Sequence, residues 1–584
     1  MAWHVYALAW RWVSGLAFYT LLRLLWPKQT SLVFIAGLLF VVYPGFSQQS
    51  IAVTYSVYFL YYTLFIGSLI LMVKSLKTSN RSKLYVAGSI ALGLFSMLCT
   101  EYFYGLELVR AALIWLTLRQ AGRPNLQNVL KAWAPYALML AGIFAWRYWA
   151  SQQAEALYGV VFIDKVADAP LEYALQWVSI ALNDVLAGGL MAWGRVTTVW
   201  SRLQSGTVFN IPYLGVLGAA FVVAAVGLQA GRAAGAETDR SPIWLGLATV
   251  CIASLSFWVA DLRISLSFPQ DRGTIPMMFG ASLLFAGVLG GLRVRAKTYL
   301  LAGLIALSVG MHFLISNEYR LEWERQGELF RQLAWRAPSL ADNTAIISPE
   351  LRVLRHSTDN SLTAPLNWMY AAPQPGETLH YSWFYAGLRS SAFNRLEASG
   401  VLSRSYDFVR YEGRAENILV VIYEPPGCLR VIDPVIDANY PMLSPEVADL
   451  ARFSNTELIS ESETEAKLPY WDQGPSNSWC YYFQKADLAR QQQDWQHVVE
   501  LGDIAFELDD HPNHPAERLP FIEAYARVGR GDDALHLTWV SLEVTPLMQP
   551  MLCDLWLRLA DNELDSSIVQ EALDQLQCSG SNES

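Results

Sequence analysis

Ten stretches of mostly apolar residues occupy the first 315 positions of this chain, at 2–26, 31–47, 52–73, 84–100, 104–118, 129–150, 211–229, 242–260, 275–292 and 298–315. About 20 such residues let a helix cross the hydrocarbon of a bilayer, and although several stretches are shorter, their succession predicts a membrane bundle. The chain is 53% hydrophobic and 16% charged, where a soluble domain carries about 25% charged residues. Its charge is also divided. Residues 1–315 hold 22 Lys and Arg against 11 Asp and Glu, and residues 316–584 hold 20 against 41. A disordered, collagen-like or disulfide-scaffold chain is excluded.

Alternate loops of the bundle carry the cations: Lys28; Lys74, Lys77, Arg81 and Lys83; Arg119, Arg123 and Lys131; Arg232 and Arg240; Arg293, Arg295 and Lys297. The intervening short loops hold only Arg263 and Arg272. Thirteen against two puts the first set on the cytoplasmic side. Both the N-terminus and the half after residue 315 then lie outside. Nothing at Met1-Ala2-Trp3-His4 resembles a signal peptide, so the expectation is that a preceding helix and its outer loop are missing from the chain. Residues 151–210 form a long external connection. Within it Leu171–Val196 is apolar but interrupted by Asn183, Asp184 and paired glycines, which predicts an interfacial or re-entrant helix.

Past the bundle, Asn317–Ala337 predicts an amphipathic helix leaving the membrane, and Thr344–Ser348, Phe408–Arg414, Ile418–Tyr423 and Leu429–Ile432 predict strands. Residues 316–470 therefore form a small α/β domain ending in a Ser- and Glu-rich stretch, Ser444 to Lys467, that reads as helix followed by exposed linker. Residues 471–578 are helical, with a short tail at 579–584. There Ala524-Tyr525-Ala526-Arg527-Val528-Gly529-Arg530-Gly531-Asp532-Asp533-Ala534-Leu535 resembles the tetratricopeptide core, and a looser unit with Trp495, Val498, Ala505 and Pro512 precedes it. Such helical hairpins ordinarily make protein contacts. Of six cysteines, Cys99 and Cys251 fall in spans, and Cys428 and Cys480 are the disulfide candidates of the outer half.

Candidate chemistry lies at the outer ends of the spans. Glu101 and Glu107, with Tyr102 and Tyr104 between them, suit a divalent metal or a sugar hydroxyl. They suit interfacial carboxylates capping the fifth span still better. In the eighth-to-ninth loop, Arg263 and Arg272 have the fork that grips a lipid phosphate, with Asp271 placed to orient Arg272; an Asp–Arg anchor is the alternative. Arg11 and Arg23 read as snorkelling or helix-facing groups. The eight histidines form no ligand cluster, and the acidic outer half gives no basic patch for nucleic acid.

The bundle, the carboxylates at outer helix ends, the Phe268-Pro269-Gln270-Asp271-Arg272-Gly273-Thr274-Ile275-Pro276 loop and the Gln326–Pro338 segment after the last span together resemble bacterial membrane glycosyltransferases of the GT-C type. The likeness covers about residues 1–340 and rests on topology more than on motif. It implies a protein of the bacterial plasma membrane that takes a polyprenyl-phosphate-linked sugar at the extracytoplasmic face. It also implies a catalytic carboxylate in the first outer loop, and here the chain departs from the family, having no acidic residue before Glu101. Glu101 and Glu107 are then secondary catalytic candidates, Arg263, Asp271 and Arg272 the lipid-phosphate side, and any divalent metal is open. The rival readings are a transporter, against which the lack of internal repeats counts, and a non-catalytic scaffold recruiting partners through the outer hairpins.

Overall fold

The computed structural model describes residues 2–78, 81–123, 125–151, 170–198, 210–230, 240–291, 297–371, 376–406, 409–437, 440, 443–460, 466–468, 470–471, 477–561 and 566–578. Arg232, Arg293, Arg295, Phe408, the tail at 579–584, and residues 152–169 and 199–209 of the long connection lie outside these. The chain divides into two compact units, Met1–Tyr319 and Arg320–Ser584.

The first unit is helical: α1 Ala2–Leu25, α2 Thr30–Val41, α3 Ala52–Lys77, α4 Ser82–Cys99, α5 Tyr104–Gln120, α6 Leu126–Ser151, α7 Pro170–Leu186, α8 Asn210–Ala230, α9 Ser241–Ala253, α10 Leu255–Val259, α11 Met277–Gly291 and the start of α12, Lys297–Arg336. Among the described residues, seven helices are long and apolar enough to cross a membrane: Ala52–Lys77, Ser82–Cys99, Leu126–Ala150, Leu175–Thr198, Ile211–Ala230, Ser241–Val259 and Lys297–Arg336. Thr30–Val41 and Met277–Gly290 are apolar but shorter. Aromatic rings fill the interior, with Phe18 stacked on Phe40 at 4.7 Å and Tyr62 on Phe103 at 4.7 Å. Large apolar side chains such as Leu84, Leu138, Ile211 and Val223 face outward. In water that surface would aggregate, and in hydrocarbon it is at rest.

One element departs from expectation. α7 does not stop at its glycines but runs on through a π-helical turn, Ala187–Met191, and further turns to Thr198. A Cβ on Gly188 would lie 2.0 Å from Met277 Sδ and one on Gly189 3.0 Å from Val250. The paired glycines are therefore a close-packing seam within a membrane-length helix, where the sequence suggested an interruption.

The second unit, Arg320–Ser584, contains a four-stranded sheet in the order β4-β2-β7-β8. Its centre, β2 Ala345–Ser348, is parallel to β4 Ser382–Tyr385 on one side and to β7 Ile418–Ile422 on the other; β8 Arg430–Val431 pairs antiparallel with β7. Every residue of β2, β4 and β7 is buried. That is why they read as continuous runs rather than as alternating strands. A smaller three-stranded sheet joins β3 Thr378–Leu379, β6 Val409–Arg414 and β5 Val401–Tyr406, and β1 Ser339–Leu340 pairs with β9 Ile459–Ser460.

Three helical hairpins follow, Trp479–Gln491 with Trp495–Ala505, Leu519–Arg527 with Gly531–Val544, and Gln549–Ala560 with Ser566–Leu576. They share one core with the strands, running from Ala345 and Phe384 to Trp479, Phe521 and Leu576, so no break in packing falls at residue 470. Cys428 is bonded to Cys480. A second bridge, Cys553–Cys578, had no counterpart in the sequence reading. The first closes a separation of 52 residues, which in the chain-entropy account stabilises by about 4 kcal/mol. The paired Cys428→Ser, Cys480→Ser variant is expected to melt well below wild type; an unchanged midpoint in the full chain would show that the bridge adds nothing.

Candidate functional site

Four segments meet at one end of the first unit: the loop 42–51 between α2 and α3, the end of the α7 helix, the loop 261–276 leading into α11, and α12 near His312. Pro44-Gly45 ends the apolar run of α2, and a short 3-10 turn, Gln48–Ser50, returns the chain into α3. This loop is held from beneath by Arg11 of α1. Its guanidinium, buried, donates to the carbonyls of Val41 at 2.8 Å and Tyr43 at 3.1 Å and to Gln49 Oε1 at 3.2 Å. Nε2 of His312 lies 3.1 Å from the Tyr43 carbonyl and 3.3 Å from Arg11. Arg11 is thus a cap for the end of α2.

The loop 261–276 ends in a 3-10 turn, Gln270–Thr274. Thr274 Oγ1 donates to the Asp271 carbonyl at 2.7 Å and the Asp271 N–H to Ser267 O at 3.0 Å. The Asp271 carboxylate, fully buried, accepts the Ser47 N–H at 2.8 Å, together with the Ser47 hydroxyl and the Gln48 amide. Arg195, near the end of the α7 helix, stands 3.8 Å from the same carboxylate and 3.5 Å from Ser47 Oγ. Burial pushes Asp271 up from the ordinary carboxylate range, opposed by the Ser47 and Gln48 hydrogen bonds and the Arg195 charge. Farther along the α7 helix, Asp184 accepts Trp258 Nε1–H at 2.9 Å and the Ile264 N–H at 3.1 Å, tying down the start of the loop.

The expected site residues fall out as follows. Asp271 is buried at the centre, with Arg195 as a charged neighbour at 3.8 Å. Arg272 follows it on the same turn, half-buried. Its charge reaches Tyr102, whose hydroxyl burial and then Tyr58 push up while Arg272 pulls it down. Arg263 is exposed. Glu101 is exposed and pairs with Arg147 at 3.1 Å. Glu107 stands apart from it, in the first turn of α5. It is fully buried, ion-paired with Arg110, which also reaches Ser68 at 3.0 Å and Ser89 at 3.3 Å and lies 4.3 Å over the Tyr136 ring. The two carboxylates therefore do not share a site; Thr100 caps the 3-10 turn Glu101–Phe103 ahead of α5, its hydroxyl accepting the Tyr102 N–H at 3.3 Å. Among the described residues no three His, Cys, Asp or Glu side chains gather as metal ligands.

Sequence reasoning missed Ser47, Gln48, Arg195 and His312, and read Arg11 only as a snorkelling or helix-facing group. Gln48 and Gln49 between two apolar runs are a visible signal; Arg195 sits in the long connection, outside the short loops whose charges set the topology. What the arrangement offers is a buried carboxylate fixing a turn, with the Arg195 guanidinium beside it and Arg272 next along the same turn. Compared with protein families, with curated proteins and with solved structures, the chain matches none.

Proposed function

We propose that this chain is a GT-C-like membrane glycosyltransferase that takes a polyprenyl-phosphate-linked sugar at the extracytoplasmic end of a bundle of about ten spans in a bacterial plasma membrane. The observation that carries the reading is the pinned Asp271. Its side chain anchors the turn on which Arg272 sits, so that Arg272, with Arg195 nearby and Arg263 exposed in the same loop, offers preorganised positive charge for a phosphate. The arginines would steady the leaving lipid phosphate. A carboxylate would take the proton of the acceptor hydroxyl, and of the two candidates only Glu101 is exposed enough to meet one. The outer hairpins, tetratricopeptide-like in sequence, would receive a protein partner. The engagement of Glu107 by Arg110 is what favours the second reading, a non-catalytic membrane scaffold built around those hairpins.

Arg272→Ala in the full chain, reconstituted in vesicles, is expected to weaken binding of polyprenyl phosphate by about tenfold or more, the usual worth of a charged hydrogen bond, and to leave binding of uncharged polyprenol unchanged. Sugar transfer from the corresponding lipid-phosphate donor should fall in parallel. Equal binding by variant and wild type would reject the role of Arg272. Binding without any transfer would favour the scaffold.

A further inference from the structure

A cleft of about 370 Å³ opens between α3, α4, α5 and α6, at the end of the first unit remote from Asp271. We infer that it is a binding site for a phospholipid with an anionic headgroup, its phosphate held at the rim by Lys131, Asn128 and Ser82 and its chain lying on the apolar wall. This goes beyond the proposed transfer reaction and concerns a different part of the bundle.

Three observations carry it. The first is the rim. Both α4 and α6 begin here, at Ser82 and Leu126, and helix starts present unpaired N–H groups and the positive end of the dipole. Lys131 follows in the second turn of α6, and Ser82, Asn128 and Lys131 all line the cleft. The second is the surrounding charge. The two adjoining stretches, 74–83 and 119–131, hold Lys74, Lys77, Arg81, Lys83, Arg119, Arg123 and Lys131 and not one acidic residue. An anion is the only charge this rim welcomes, and juxtamembrane cations of this kind attract anionic lipid.

The third observation is the wall, which decides between a free anion and a lipid. Met72, Leu76, Val86 and Leu118 line the cleft. A small hydrated anion gains nothing from such a wall; an acyl chain buries against it, at about 0.8 kcal/mol per methylene. At the floor, Tyr136 carries Arg110 over its ring, so an occupant would press on the ring that covers the buried Arg110–Glu107 pair.

The test is native mass spectrometry of the full chain released from bilayers of equal phosphatidylglycerol and phosphatidylcholine. Wild type is expected to retain phosphatidylglycerol about fivefold over phosphatidylcholine, the worth of one such lysine, and Lys131→Gln to bring the two near parity. Ala132→Phe, which narrows the cleft, should lower retention of both lipids. Equal retention by wild type, or a preference that survives both substitutions, overturns the inference. Since either variant could misfold, wild type is also challenged with inorganic phosphate. Displacement of the lipid by phosphate would make this a free-anion site and overturn the lipid assignment; no displacement supports it.

Discussion

Replacing Asp487 by asparagine is expected to cost the second unit about 3–5 kcal/mol, the penalty for breaking a buried ion pair from one side. Asp487 lies buried between two guanidinium groups, Arg336 Nε at 2.7 Å and Arg490 at 2.6 Å. Burial alone would raise its pKa, but Arg490, Arg336 and Arg430 outweigh burial and hold it down to about 2. Asparagine keeps the shape and removes the charge, which leaves Arg336 and Arg490 buried with no anion between them. The same arrangement sets a pH dependence. A carboxylate held below its unfolded value, about 4, stabilises the fold above that pH, and the contribution is lost as pH falls from about 4 towards 2. Thermal unfolding of the full chain across that range should show wild type losing stability steeply on the acid side and Asp487→Asn losing less, from a much lower starting point. A variant within about 1 kcal/mol of wild type at neutral pH would mean that the three arginines are relieved by water and not by Asp487.

Much of this could be seen before any coordinates. Long apolar runs become helices because nothing else satisfies their backbone in hydrocarbon. β2 and β7 are short buried strands because Ala345–Ser348 and Ile418–Ile422 are rich in Ile and Val and largely apolar. What stayed hidden is what depends on partners distant in sequence. Asp184 looks like an interruption until Trp258 and Ile264 donate to it, and Gly188 looks like a break until Met277 fills the space beside it. Arg195 and Asp271 meet only because the end of the α7 helix and the loop 261–276 come to the same end of the bundle. β4, Ser382–Tyr385, escaped notice since Ser and Trp give no alternation on a strand buried on both faces. The Glu107–Arg110 pair was the legible exception. Its i,i+3 spacing is ordinary helix arithmetic, and it is obscured by reading Glu107 together with Glu101 at the outer end of the span.

The largest losses in the first unit are expected where α9 is clasped by its neighbours. A Cβ on Gly246 of α9 would lie 2.6 Å from Leu284 N of α11, and one on Gly280 of α11 would lie 2.6 Å from Val250 N of α9. On the other side, a Cβ on Gly105 of α5 would meet Ile252 O at 2.1 Å. All three obstacles are backbone atoms, which no side-chain rotation can clear, so even one methyl group must push whole helices apart. Gly105→Ala and Gly246→Ala are each expected to cost about 3 kcal/mol, the upper part of the range for overpacking. Gly246→Ala with Gly280→Ala should cost less than the sum of the two, because both force open the same crossing and the second methyl enters space already made. Gly215→Ala and Gly218→Ala, on α8 with nothing within 4 Å, should be tolerated, with a small gain from helix propensity. Melting of the purified full chain in detergent separates these outcomes, and a Gly105→Ala protein as stable as Gly215→Ala would disprove the clasp. α9 and α10 also deliver the chain into the loop that carries Asp271. Opening the crossing should therefore pull Asp271 from Ser47 and weaken polyprenyl-phosphate binding together with stability, whereas Arg272→Ala should weaken binding alone.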